Sequence, residues 1–81
     1  MTNHSAPVWS AALQQQTRDA IEQLPLTSDG KLHFKHPTLG GACASLNDLL
    51  NDQLLLQVKM GGDLYQFVNV EALLQAGWAL D

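Results

Sequence analysis

The sequence predicts an α+β domain in which helices cover a small three-stranded sheet, and three observations support this prediction. In residues 54–78, alternating apolar side chains, a Gly-Gly turn and Asn69 as a helix cap indicate a hairpin followed by a helix. Residues 39–50 carry apolar side chains at helical spacing. Residues 31–36 alternate between polar and apolar side chains, as a half-buried strand does.

The first predicted element is an N-terminal helix. Ser5 followed by Pro7 is typical of a helix start, and Pro25 ends the helix. Between them, apolar residues recur at near-helical spacing: Trp9, Leu13, Ala20, Ile21 and Leu24. Because Gln16 and Thr17 interrupt this stripe, we expect the helix to lie on the surface with its two ends docked.

A strand and a second helix follow. Leu32 and Phe34 share the buried face of the strand, and Pro37 closes it. With Thr38 as its cap, the second helix carries a continuous apolar stripe: Leu39, Ala42, Cys43, Leu46, Leu49 and Leu50. A helical crossover of this length permits the first two strands to be parallel but does not require it.

The C-terminal third predicts an antiparallel hairpin and a third helix. A two-residue turn pairs Leu56 with Phe67, whereas a three-residue turn pairs Leu56 with Val68 and Met60 with Leu64, and both registers bury apolar partners. The helix begins after Asn69 and ends at Gly77. The predicted order is therefore α-β-α-β-β-α.

Composition indicates one small domain over residues 1–81, with residues 1–5 flexible. Charged residues make up 15%, against about 25% in typical soluble domains, so the surface resists association weakly. The net charge of -4, with only four Lys and Arg, argues against bulk polyanion binding. A single cysteine, no signal peptide and no long apolar run predict a cytoplasmic protein that does not bind membranes.

Three chemical sites can be considered, and the sequence disfavours each. By residue type, His33, His36 and Cys43 suit a metal site. They also suit a cysteine nucleophile with a histidine base. However, positions three apart on a strand face opposite ways, and the helical stripe buries Cys43. The glycines after Leu39 suit anion binding at a helix start but lack a phosphate-loop lysine. We therefore expect no enzyme activity, metal or cofactor.

Two functions remain. The first is a noncatalytic protein-interaction module, such as a homodimer or a small regulatory or accessory subunit, with Tyr65, Trp78 and Leu80 as candidate contact residues. A core position is the preferred interpretation for Tyr65 and Trp78. The alternative is a nucleic-acid-binding regulator that uses a basic strand face: Lys31, His33, Lys35 and Lys59.

Overall fold

The computed structural model describes residues 9–24 and 27–81. In these residues the helices are α1 (Ala11–Gln23), α2 (Leu46–Leu50) and α3 (Val70–Gln75). The strands are β1 (Lys31–His36), β2 (Gly40–Ser45), β3 (Leu54–Val58), β4 (Leu64–Phe67) and β5 (Ala79–Leu80). All strands join one antiparallel sheet in the order β4-β3-β2-β1-β5. The α+β class is confirmed, whereas the prediction of three strands is wrong because this sheet has five.

Helix α1 begins later than the Ser5 and Pro7 pattern indicates. Ser10 caps it, since its Oγ accepts a hydrogen bond from the Leu13 amide. Residues 1–8 and Pro25 lie outside the described residues. The predicted flexibility of residues 1–5 and the predicted helix end at Pro25 therefore concern residues that the structure does not describe. The interrupted stripe predicts docking at the two ends of this helix, but its middle is docked as well, because Thr17 is fully buried and its hydroxyl accepts the Leu80 amide of β5.

The segment 39–50 differs most from its prediction. Gly40–Ser45 is strand β2, and only Leu46–Leu50 is helical. A small residue causes the ambiguity, because Ala42 fits the buried strand face as well as the helix stripe, whereas Ala44 lies outside that stripe and is buried in the strand. Glycines at the start disfavour a helix, and Gly40 has a φ of +81°. The predicted crossover between strands 31–36 and 54–58 thus contains β2 and α2. Because β2 is antiparallel to both β1 and β3, these two strands run in the same direction but are not neighbours.

The hairpin of β3 and β4 adopts neither predicted register. Leu56 lies opposite Tyr65, and Leu54 lies opposite Phe67. The Val58 amide donates to the Asp63 carbonyl at 2.8 Å, so the turn contains four residues and the predicted Met60 pairing is lost. Gly61 and Gly62 both have positive φ, which allows this longer turn.

The core lies on one face of the sheet. Its strand residues alternate along the chain: Leu32, Phe34, Ala42, Ala44, Leu54, Leu56 and Val58. All three helices contribute side chains to it, including Leu49 of α2 and Leu73 of α3. After α3, Gly77 turns the chain with a φ of +101°, which confirms the predicted helix end and leads into β5. No helix of the described residues is long and apolar enough to cross a membrane.

Candidate functional site

One face of the sheet is not covered by the helices of the described residues. We call it the outer face, and it carries the residues that alternate with the core: Lys31, His33, Lys35, Gly41, Cys43, Ser45, Leu55, Gln57 and Lys59. All of them are exposed or half-buried. This face therefore holds most of the residues that the sequence marks for chemistry.

Cys43 lies directly opposite His33 on the outer face. The Leu46 amide donates to the Gly30 carbonyl, so alternation along the ladder makes His33 and Cys43 a non-hydrogen-bonded pair, in which side chains come closest. The prediction that Cys43 turns into the core on a helix is wrong. Its strand directs it outward, where it is half-buried.

Asp29 holds the His33 ring. Its Oδ2 lies 2.6 Å from His33 Nε2, and its Oδ1 accepts the Lys31 amide at 3.1 Å. The hydrogen bond from His33, followed by that from the Lys31 amide, lowers the pKa of Asp29 to about 2. The other ring nitrogen of His33, Nδ1, is enclosed and has no hydrogen-bond partner in the described residues.

The structure does not bring His36 together with His33 and Cys43. His36 points to the core face, opposite to His33, as expected for positions three apart on a strand. The described residues contain no group of three His, Cys, Asp or Glu that could hold a metal. An activated cysteine needs a base within hydrogen-bond reach, and among the described residues no such bond joins His33 to Cys43.

His36 has a structural role at the turn between β1 and β2. Its Nε2 lies 2.8 Å from the Ala76 carbonyl and so carries the proton, while Nδ1 accepts the Thr38 and Leu39 amides at 3.1 Å each. Its ring contacts Trp78, with 4.8 Å between centroids. The anion-binding hypothesis for this segment loses its basis, because no helix starts here and two of its amides are already bonded.

The basic residues of the alternative function share the outer face. Lys35 lies opposite Gly41, and the Lys59 side chain crosses Gly41 from the other side, 3.3 Å from where a Cβ would stand. The Lys35 ammonium lies 4.9 Å from the centre of the Trp9 ring. Together with Lys31, three of the chain's four Lys and Arg residues are on this face, although Asp29 adds a negative charge beside them.

Of the predicted contact residues, Trp78 lies in the core, and Tyr65 and Leu80 pack against it. Trp78 is only 1% exposed, so its ring cannot reach a partner without opening the domain. Tyr65 and Leu80 are half-buried and pack against the core. Their apolar area is thus used for folding, which is the placement preferred from the sequence for the two aromatic residues.

A different set of apolar side chains is exposed, and it lies around β4. Leu64 is 61% exposed, Val68 91%, Met60 87% and Leu50 70%. Strand β4 is also an edge of the sheet. Since Val58 bonds to Asp63, alternation directs the backbone groups of Leu64 and Gln66 away from β3. We call this free side of the strand the β4 edge.

A groove opens at the C-terminal end of β4. We call it the end groove; it has a volume of about 590 Å³, and its lining is mainly apolar: Ile21, Glu22, Leu24, Leu49, Leu50, Asp52, Leu54, Val68 and Asn69. Leu24 and Asp52 are the two non-glycine residues of the described chain with positive φ. Strained backbone of this kind clusters at functional sites.

Sequence reasoning missed the β4 edge because it assigned too few strands. With only three predicted strands, the sequence does not show whether the hairpin lies inside the sheet or at its edge. The three-residue turn also pairs Leu64 with Met60, which predicts that Leu64 is buried. One available signal is that residues 64–67 include neither a charge nor a proline, the usual protection of an edge. Comparisons of the chain with protein-family models, curated proteins and solved structures found no match.

Proposed function

We propose that this chain is a noncatalytic protein-interaction module that binds an extended segment of a partner protein along the β4 edge. The observation that carries this proposal is the combination of unpaired backbone groups on Leu64 and Gln66 with exposed apolar side chains around them. In such strand addition, main-chain hydrogen bonds supply affinity, and side-chain pockets supply specificity.

The state of the two sheet edges supports this choice. Helix α1 covers β5, where Thr17 Oγ1 accepts the outward Leu80 amide at 2.9 Å. Among the described residues, none bonds to the outward side of β4. Natural proteins usually protect an exposed edge with lysine, proline or a bulge, and β4 has neither lysine nor proline. Because α1 protects the β5 edge and the described residues leave the β4 edge open, we propose that the partner binds at β4.

The energetics suit a modest affinity. Each added backbone hydrogen bond contributes about 0.5–1.5 kcal/mol net, and buried apolar area contributes about 25 cal/mol per Å². A four-residue edge with Leu64 and Val68 beside it offers a contact below the standard interface size, as in transient signalling complexes. The weakly charged composition lowers the electrostatic cost of the approach. We place this module in the cytoplasm because of its single cysteine.

A proline substitution tests the proposal. The Gln66 amide points outward, so Gln66→Pro removes an edge donor without breaking a bond to β3. Gln66→Thr keeps the donor and serves as the matched control. The probe is an acetylated eight-residue peptide of alternating threonine and valine, followed by amide chemical shifts. We expect shifts at Leu64–Phe67 in the wild type and the threonine variant, with affinity about tenfold lower in the proline variant.

The alternative outcomes are informative. Unmoved Leu64–Phe67 signals at millimolar peptide, or equal binding by Gln66→Pro, would refute strand addition. Light scattering on the free protein distinguishes one further case. If the mass doubles with concentration and Gln66→Pro abolishes the doubling, the β4 edge pairs with a second copy and the homodimer predicted from the sequence is the functional form.

The outer face supports a second candidate, binding of single-stranded nucleic acid. The specific observation is the Lys35 ammonium over the Trp9 ring, on the same face as Lys31 and Lys59. Lysines beside an aromatic ring are the usual components of such a surface. Titration with a ten-nucleotide thymidine oligomer at 20 mM salt tests it. Shifts confined to the lysines, lost in K31Q/K35Q/K59Q and at 300 mM salt, would favour this function.

A further inference from the structure

The end groove continues the β4 edge and differs from it in charge. Val68 and Asn69, which directly follow β4, line the groove, and so do Ile21 and Glu22 at the C-terminal end of α1. A segment that adds to β4 therefore meets the groove when it passes Val68. The volume of about 590 Å³ accommodates an apolar side chain and its neighbours.

The rim of the end groove is acidic. Glu22 and Asp52 both line it and are exposed. Among the described residues, the ion pairs are Arg18 with Glu71 and His33 with Asp29, so neither rim carboxylate has a cation within 4 Å. The three lysines lie on the outer face, away from the groove lining. The rim thus attracts a positive charge, and the described residues place no cation within 4 Å of it.

We propose, on the basis of the function above, that the bound segment carries Lys or Arg followed by an apolar residue at its N-terminal end. All strand pairs of the sheet are antiparallel, so we expect the added strand to run antiparallel to β4. Its N-terminal end then lies beside Val68, at the C-terminal end of β4. There its apolar side chain enters the end groove, whose lining includes Leu50 and Leu54. The preceding basic residue then reaches Glu22 and Asp52.

Two peptides test this specificity. Both consist of alternating threonine and valine; one begins with acetyl-Lys-Lys-Leu and the other with acetyl-Glu-Glu-Leu. We expect the lysine peptide to bind about threefold to tenfold more tightly at 20 mM salt, with chemical-shift changes at Leu50, Asp52 and Val68. The difference shrinks at 500 mM salt, because salt screens exposed charges.

Paired variants assign the effect to the rim. E22Q/D52N removes both rim charges, and asparagine tolerates the positive φ of Asp52. D19N/D63N removes two exposed charges outside the groove lining and gives the same net charge. We expect the preference for the lysine peptide to vanish in the first variant and to persist in the second.

The outcomes separate this inference from the proposed function. Equal binding of both peptides at Leu64–Phe67, unchanged in E22Q/D52N, would overturn the basic specificity and leave strand addition standing. Binding of neither peptide at β4 would refute both. Shifts at Leu50 and Val68 without shifts in β4 would also overturn the inference, since they would show a groove that binds independently of an added strand.

Discussion

At one edge of the sheet, β5 directs the Leu80 amide to Thr17 of α1, whereas at the other edge β4 directs the backbone groups of Leu64 and Gln66 outward. The β5 edge is closed by contacts between the two ends of the described chain. Besides Thr17 and Leu80, the Trp9 indole donates to the Gly77 carbonyl at 2.8 Å. The β4 edge belongs to a local hairpin and has exposed leucine and valine beside it.

The contrast separates folding from binding. Contacts at the β5 edge are buried and satisfy polar groups, so changes there should affect the free energy of unfolding. The exposed side chains at the β4 edge are not part of the core. Substitutions there should therefore affect association and leave the free energy of unfolding almost unchanged. Four substitutions examine this division, in order of decreasing expected effect.

Gly77→Ala should be the most damaging change at the β5 edge. An added Cβ would stand 2.7 Å from His36 Nε2, and the φ of +101° is unfavourable for alanine. The combined overpacking and backbone strain should cost about 2–5 kcal/mol in urea unfolding. Gly61→Ala is the control, because Gly61 has a φ of +98° and open space around it; we expect about 1–2 kcal/mol. Equal losses in the two variants would contradict a tightly packed β5 edge.

Thr17→Val should have the second-largest effect. The hydroxyl accepts the Leu80 amide and donates to the Leu13 carbonyl in a fully buried position. Valine keeps the shape but leaves a buried amide unpaired, at a cost of about 1–3 kcal/mol. Urea unfolding measures the loss, and hydrogen exchange at Leu80 should accelerate. Thr17→Ser retains the hydroxyl and should keep Leu80 protected; faster exchange there would show that the methyl group, rather than the bond, closes the edge.

The two edges also explain which parts of the fold the sequence could predict. The caps at Asn69 and Gly77 and the alternation in β1 are local patterns, and the structure confirms them. The helix predicted from residue 39 is wrong up to Ser45, because Ala42 satisfies the strand and helix periods alike. The choice was made by pairing with β1 and β3, which is a non-local interaction.

The candidate site shows the same limit. Residue types correctly mark the lysine face, because alternation in β1 fixes the side to which Lys31 and Lys35 point. In contrast, β5 has only two residues and is stabilised by Thr17, 63 positions away in the sequence. Without β5, the sequence cannot show that β1 is internal and β4 an edge. The three-residue register therefore predicts that Leu64 and Val68 are buried against Met60 and Leu56, whereas both are exposed at the β4 edge.

Asp29→Asn should show a smaller, pH-dependent effect on the β1 half of the sheet. The folded-state pKa of Asp29 is lowered to about 2 by His33 and the Lys31 amide, below its ordinary value near 4. A lowered carboxyl pKa stabilises the fold above pH 4, and this stabilisation is lost as the pH falls from about 4 to about 2. Unfolding curves of wild type and variant should thus differ at pH 6 and converge near pH 2. A constant difference across this range would contradict the ionic origin.

Leu64→Thr should have the smallest effect on stability and the most specific effect on binding. The side chain is 61% exposed on an edge strand, and threonine suits a strand, so we expect less than about 0.5 kcal/mol in urea unfolding. The lost apolar contact should weaken the alternating threonine-valine peptide by about threefold to tenfold. Leu56→Thr is the matched control, since Leu56 is fully buried and its loss should destabilise the fold. If Leu64→Thr destabilised the protein as Leu56→Thr does, Leu64 would belong to the folding core, and the division between a closed edge for folding and an open edge for binding would fail.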